Sequence, residues 1–407
     1  MTRGGATGSG RVPGPLGDGE LGAYVSWIDR ARAGSRRPGW MVDRVPRPDE
    51  MRRWAREILG PTDEEGAPAK VRVESSWAAG DGVLGEVVSW DLGYGPRTEA
   101  YVLRPDQGEG PWPGVVALHC HGGFTFYGKE KIADGPAGHD PVLDGVRERL
   151  YAGRAYVNDL ARRGFVVLAH DVFAWGSRKF DLAVDGAAGD GAAGDGAGEE
   201  AVEPSRHADA VERYNAAAAA HEHVIEKYCR LLGTTFAAVV AFEDRAALAY
   251  LAARGDVAPG RIGCVGLSGG GARAAMLQAT SDVAATVVVA MMSSYGALLD
   301  RDVARHTWML YPERWPAHGD WPDLVACRPT SPLLVQYRRH DELFSVAGME
   351  QAHARIAATY AAAGNAHGYD GQFYDGPHGF DAPMQEAAFA WLARELGTAG
   401  PAARRSR

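Results

Sequence analysis

The sequence predicts a mixed, mostly parallel β-sheet with helices on both faces. Three observations carry that reading. Residues 70–103 alternate apolar and polar positions with a period near two between glycine turns, as antiparallel strands do. Continuous apolar runs such as Pro113-Gly-Val-Val-Ala-Leu118 and Ala284-Ala-Thr-Val-Val-Val-Ala290 then mark strands covered on both sides. Helical patterns separate these runs, which gives the strand–helix alternation of a doubly covered sheet.

In chain order, residues 1–20 are rich in Gly, Pro and Ser and read as a disordered tail. Residues 21–69 form a helical extension: an amphipathic helix over 21–33, then a second from Pro48, with an acidic first turn and a Gly60-Pro61 stop. The main domain covers 70–397. After the antiparallel start, strands are expected at 113–118, 164–169, 262–267, 284–290, 332–337 and 371–374. Helices are expected at 147–163, 234–254, 272–280, 348–364 and 384–396. One segment breaks the alternation. Residues 180–232 read as an insertion after the fourth strand, made of a Gly/Ala/Asp linker (185–199) and a helix over 205–232 that could roof a pocket. Residues 398–407 form a second tail.

A chain of 407 residues suits one large domain with appendages. Its net charge of −9 gives no general attraction to nucleic acid or anionic membranes. The four cysteines are scattered and form no C-x-x-C pair, as expected of reduced thiols. There is no apolar leader at the N-terminus and no run of membrane-spanning length, so a cytoplasmic protein is expected.

The chemistry is carried by Gly266-Leu267-Ser268-Gly269-Gly270, at the end of a buried strand and the start of a small-residue helix. This is the G-x-S-x-G pattern, in which a strained turn pushes the serine hydroxyl out of the sheet. The glycines allow the chain to pass close to itself. A competing reading takes Gly269-Gly-Gly271-Ala-Arg-Ala274 as a dinucleotide turn with Asp282 as the ribose acid.

The two readings differ in the partners they require. A serine nucleophile needs a histidine base oriented by a carboxylate, in the order Ser, acid, His, each just past a strand end. Asp341 follows the strand ending at Tyr337, and His378 follows the one ending at Tyr374. The nucleotide reading asks for neither. Competitors remain: Glu342 as the acid, or Asp341 as a helix N-cap, and His340, His119 or His121 as the base. An oxyanion hole would take one backbone N–H from Gly269. The second would come from the turn after the first buried strand, with His121 first by position and Gly122 next. His119 and His121 bring no carboxylate-rich partner set, so no metal site is expected.

These motifs resemble α/β-hydrolases of the dienelactone hydrolase and acetyl xylan esterase group over residues 80–397. The resemblance rests on Leu118-His-Cys-His-Gly-Gly123, Tyr127-Gly-Lys-Glu-Lys131, His170-Asp-Val-Phe-Ala-Trp-Gly-Ser-Arg178, the serine elbow, Arg339-His-Asp341 and Gly376-Pro-His-Gly-Phe380. It implies Ser268, Asp341 and His378 as a triad, Gly269 and His121 as oxyanion donors, and ester hydrolysis through an acyl-enzyme without a cofactor. Dienelactone hydrolases proper use cysteine, so the serine points to the esterase side. Tyr127, Lys129, Asp171 and Arg178 are expected to hold loops together by ion pairs. The expected partner is a small ester, with no nucleic acid and no membrane; assembly into a homo-oligomer stays open. A peptidase or thioesterase with the same triad, or a non-catalytic protein of this fold, are the rival readings.

Overall fold

The computed structural model describes residues 20–34, 37–41, 46–60, 68–182, 204–300 and 303–398. The expected tails, apart from Glu20 and Thr398, and the Gly/Ala/Asp linker lie outside the described residues. The extension holds helices α1 (Val25–Ala33), which buries no side chain, and α2 (Pro48–Leu59). Met51, Ala55, Ile58 and Leu59 recur at helical spacing along α2 and are buried on the main domain.

Three strands open that domain: β1 (Ala69–Ala78), β2 (Val83–Asp91) and β3 (Thr98–Pro105). They are followed by β4 (Trp112–Leu118), α3 (Asp144–Tyr151), α4 (Tyr156–Arg162) and β5 (Val166–His170). A single helix was expected over 147–163. It breaks because Ala152 and Gly153 both take positive φ, 55° and 73°, which ends α3. Next come α5 (Pro204–Leu231), α6 (Phe236–Ala252), β6 (Val257–Leu267), α7 (Gly269–Thr280) and β7 (Ala285–Val289). The chain continues through α8 (Tyr295–Leu299), α9 (Trp321–Val325), β8 (Leu333–Arg338), α10 (Val346–Ala362), β9 (Tyr369–Tyr374) and α11 (Ala382–Leu396). The insertion leaves the sheet after β5, the fifth strand and not the fourth, because each of the three early apolar segments forms a strand of its own.

The nine strands form one sheet in the order β1-β2-β3-β5-β4-β6-β7-β8-β9. Pairing is antiparallel from β1 through β3 to β5 and parallel from β5 to β9. Side chains of α2, α6, α7, α9 and α10 bury one face, and those of α3, α4 and α11 the other. From β4 the chain moves one way to β5, and from β6 it moves the other way to β7. The gap between the carboxyl ends of β4 and β6 is therefore the switch point of the sheet, where a crevice opens. Leu118 pairs with Gly266 there, so the turns that follow start side by side.

Beneath this crevice lies a buried charge pair. Arg273 on α7 is 2% exposed and Asp244 on α6 is 0% exposed, and Nη2 of the arginine sits 2.6 Å from the carboxylate. His170 Nε2 lies 3.0 Å from the same carboxylate, and Arg273 Nη1 donates to the His119 carbonyl at 3.3 Å. Burial alone would raise the Asp244 pKa, but the Arg273 charge and the bonds from His170 and Arg273 outweigh it and hold the carboxyl below its usual range. The pair thus ties α6, α7 and the ends of β4 and β5 into one unit. Asp244→Ala should lower the unfolding free energy by about 3–5 kcal/mol, since it strands a buried guanidinium. Asp244→Leu with Arg273→Met should recover part of that loss in urea titrations. Equal losses in both proteins would show that the charge pair is not what holds this layer.

Candidate active site

The serine elbow forms as the glycine spacing requires. Ser268 takes φ 57° and ψ −122°, an unusual region for a residue with a side chain. Its N–H donates to the Val289 carbonyl at 2.9 Å, and its own carbonyl accepts the first bond of α7 from Ala272 at 2.9 Å. A β-carbon at Gly266 would lie 2.2 Å from the Gly270 carbonyl oxygen, and one at Gly270 would lie 2.1 Å from the Leu118 oxygen. Neither position can carry a side chain without moving backbone. Helix α7 begins at Gly269, directly behind the serine, so its positive end faces the crevice. All of 269–271 lies inside that helix, and Asp282 near its far end pairs with Arg52 at 2.6 Å, so nothing here forms a dinucleotide turn.

The candidate acid and base come together past the ends of β8 and β9. His378 Nδ1 lies 2.6 Å from Asp341 Oδ2, and both residues are buried. The other Asp341 oxygen accepts from the Leu343 N–H at 2.8 Å. With Nδ1 donating to the carboxylate, Nε2 is left as the acceptor nitrogen. Glu342 is turned elsewhere: its carboxylate faces the His378 backbone N–H at 3.4 Å, not the ring. His340 is exposed. His119 is enclosed, and burial, with the nearby charges of Lys131 and Arg273, pushes its pKa well down, so it stays neutral. Among the described residues, no hydrogen bond joins Ser268 to His378. In unliganded hydrolases this contact is often long and tightens only around substrate.

The turn after β4 lies against the elbow. The three atoms nearest to a β-carbon placed on Gly269 all belong to His121, and the backbone nitrogen is first at 2.8 Å. The His121 N–H donates to no other described residue. Gly122 and Gly123 follow, both with φ 63°, which turns the chain away. Of the two candidates in this turn, His121 is therefore the one that meets Gly269. Among the described residues no group of three His, Cys, Asp or Glu side chains is placed to hold a metal ion.

Several residues that grip this turn were not singled out from the sequence. Lys131 donates to three of its carbonyls. The long helix α5 reaches it at three levels. His207 Nε2 meets Asp140, itself bonded to the Tyr127 hydroxyl, at 2.8 Å; Asn215 Oδ1 accepts from the N–H groups of Thr125 and Phe126 at 2.8 and 2.9 Å; and Glu222 faces His121 Nε2 at 3.6 Å. No local pattern announces these partners, which lie tens of residues apart in the chain. Of the four residues expected to hold loops together by ion pairs, Lys129 and Asp171 pair with each other at 2.8 Å and Arg178 pairs with Glu243, whereas Tyr127 donates a hydrogen bond to Asp140. Trp175 stacks on Phe236 and takes the edge of the His121 ring. Behind that stack, α5, α6 and Gly60 border an open apolar pocket of about 800 Å³ lined by Phe173, Phe180, Ile225, Val239 and Phe242. Neither Ser268 nor His378 lines it. Trp315 and Trp321 are core, and Trp308 is exposed beneath the Arg230 guanidinium.

No protein-family model matches the chain. A Bacillus subtilis (strain 168) protein described as "Putative hydrolase YtaP" is 24% identical over 286 residues, 70% of this chain and 79% of the relative. Among solved structures, a protein described as a "putative acetyl xylan esterase" from Bacteroides fragilis superposes with a TM-score of 0.65 at 16% identity, covering 96% of this chain and 97% of the other. The glucuronoyl esterase from Solibacter usitatus gives 0.58 at 14% identity, covering 86% and 92%. The chain thus has the α/β-hydrolase fold that these proteins share.

Proposed function

We propose that this protein is a serine carboxylic ester hydrolase that cleaves a short acyl or acetyl ester through an acyl-enzyme. Ser268 Oγ attacks the ester carbonyl carbon while His378 Nε2 takes its proton. Asp341 keeps the ring in the tautomer that leaves Nε2 free and stabilises the imidazolium that forms. The oxyanion is held by the N–H groups of Gly269 and His121, with Gly122 next in the turn, and by the positive end of α7. Collapse of the intermediate breaks the bond to the alcohol, which leaves with the proton from His378. Water, deprotonated by the same histidine, then attacks the acyl-enzyme, and the carboxylic acid departs.

The observation that carries the reading is the 2.6 Å contact of His378 Nδ1 with Asp341 past the ends of β9 and β8, together with an elbow past the end of β6 that holds Ser268 at φ 57°. The structural neighbours described as esterases support the ester as the bond cleaved. A fluorophosphonate should label Ser268 in the folded protein, and acetyl ester hydrolysis should begin with a burst of released alcohol. Ser268→Ala should abolish both and lower kcat by about 1,000-fold or more. An unlabelled Ser268, or full activity in that variant, contradicts the assignment. Comparing an acetyl ester with an acyl thioester and a peptide anilide separates esterase from thioesterase and peptidase. Asp341→Asn should fold normally yet lower kcat by about 10,000-fold, because the amide favours the wrong tautomer. Glu342→Gln should leave kcat near that of the wild type, and a reversal of these two outcomes would make Glu342 the acid.

A further inference from the structure

Lys131 is 0% exposed, and its surroundings are not those of an ordinary buried lysine. Its Nζ lies 2.6 Å from the Cys120 carbonyl oxygen, 2.9 Å from that of Phe124 and 3.4 Å from that of His121. An ammonium has three N–H donors, and here three backbone acceptors stand around it. Among the described residues no carboxylate pairs with it, whereas Lys129, on the same short 3-10 turn, is matched by Asp171 and Glu130. The charged and titratable groups facing Lys131 are the Cys120 thiol, Arg273, Asp171, Glu130 and His119. Burial, joined by Arg273, brings its pKa down to about 8 against the opposite pull of Cys120, Asp171 and Glu130.

The shortest of the three contacts has a particular partner. The Cys120 carbonyl and the His121 N–H belong to one peptide unit, which is planar and trans, so they point in opposite directions. A donor fixed on the oxygen sets the direction of the N–H, and that nitrogen is the atom that meets Gly269. Positive charge at the oxygen also polarises the peptide and makes its N–H a stronger donor.

We propose that Lys131 is a positioning residue for the oxyanion hole: its charged Nζ grips the turn after β4 from behind, aims the His121 N–H at the substrate oxyanion and strengthens that donor. This rests on the reading of Ser268 as the nucleophile. Loss of the Lys131 proton removes the charge and one donor, so the oxyanion is held less well although substrate still binds.

The test uses phenyl acetate hydrolysis from pH 6 to 10, with KM and kcat determined separately and Ser268 labelling checked on the same preparations. Wild-type kcat is expected to fall as pH rises through about 8, with KM nearly unchanged. Lys131→Arg, which stays charged, should carry that fall to higher pH. Lys131→Met should lower kcat about 10- to 100-fold, somewhat less than the loss of a direct oxyanion donor, and show no alkaline fall. A folded Lys131→Met with kcat within about twofold of wild type would overturn the proposal, as would the same alkaline fall in all three proteins. If neither variant folds, the wild-type profile decides: a flat kcat from pH 7 to 9.5 overturns it, and a fall near 8 at constant KM supports it. Failure of the wild type to label at Ser268 instead removes the esterase reading itself.

Discussion

Everything at the crevice depends on how closely two stretches of backbone can pass. The turn after β4 and the first turn of α7 touch through main-chain atoms, with a β-carbon on Gly270 excluded by the Leu118 carbonyl and one on Gly269 by the His121 nitrogen. Dense packing leaves no slack at such a contact: a single methyl group would push the strands' carboxyl ends apart. The glycines that expose Ser268 therefore also bring a second N–H to the place where an oxyanion would form. Exposure of Ser268 and the approach of the His121 N–H are one event in this chain.

That contact concentrates buried charge around it. Arg273 with Asp244 lies beneath, Lys129 with Asp171 to one side, and Lys131 directly behind the turn. Buried ion pairs add little net stability, because desolvation consumes most of their attraction. What they supply here is geometry. Each grips backbone or helices that converge on the crevice, and each would be costly to misplace, so together they select one arrangement of the loops over nearby alternatives.

The sequence made the fold readable because the sheet announces itself locally: period-two segments first, then apolar runs between helices. The candidate residues follow the same logic: Ser268, Asp341 and His378 each stand just past a strand, so the strand pattern picks them out. What stayed hidden depends on distance along the chain. Arg273 meets the His119 carbonyl 154 positions away, and Asn215 meets Thr125 90 positions away; neither leaves a periodic trace. Lys131 stood inside a quoted motif, but its role lies in three carbonyls, which sequence does not display. The break between α3 and α4 was missed because Ala152, an ordinary helix former, takes the left-handed conformation there.

Helix α5 adds no strand to the sheet, yet it holds the β4 turn and the residues just after it through Glu222 and Asn215, and Asp140 further on through His207. The Asn215 grip ends on main-chain N–H groups, so it reads the shape of the chain there more than its side chains. The insertion and the turn are consequently a matched set. A designer who transplants this turn into another protein of this fold brings along unsatisfied amides at Thr125 and Phe126 unless α5 travels with it. Exchanging α5 for a foreign helix leaves the same two amides bare in this protein. For domain grafting, the smallest transferable piece is two segments far apart in sequence, moved together.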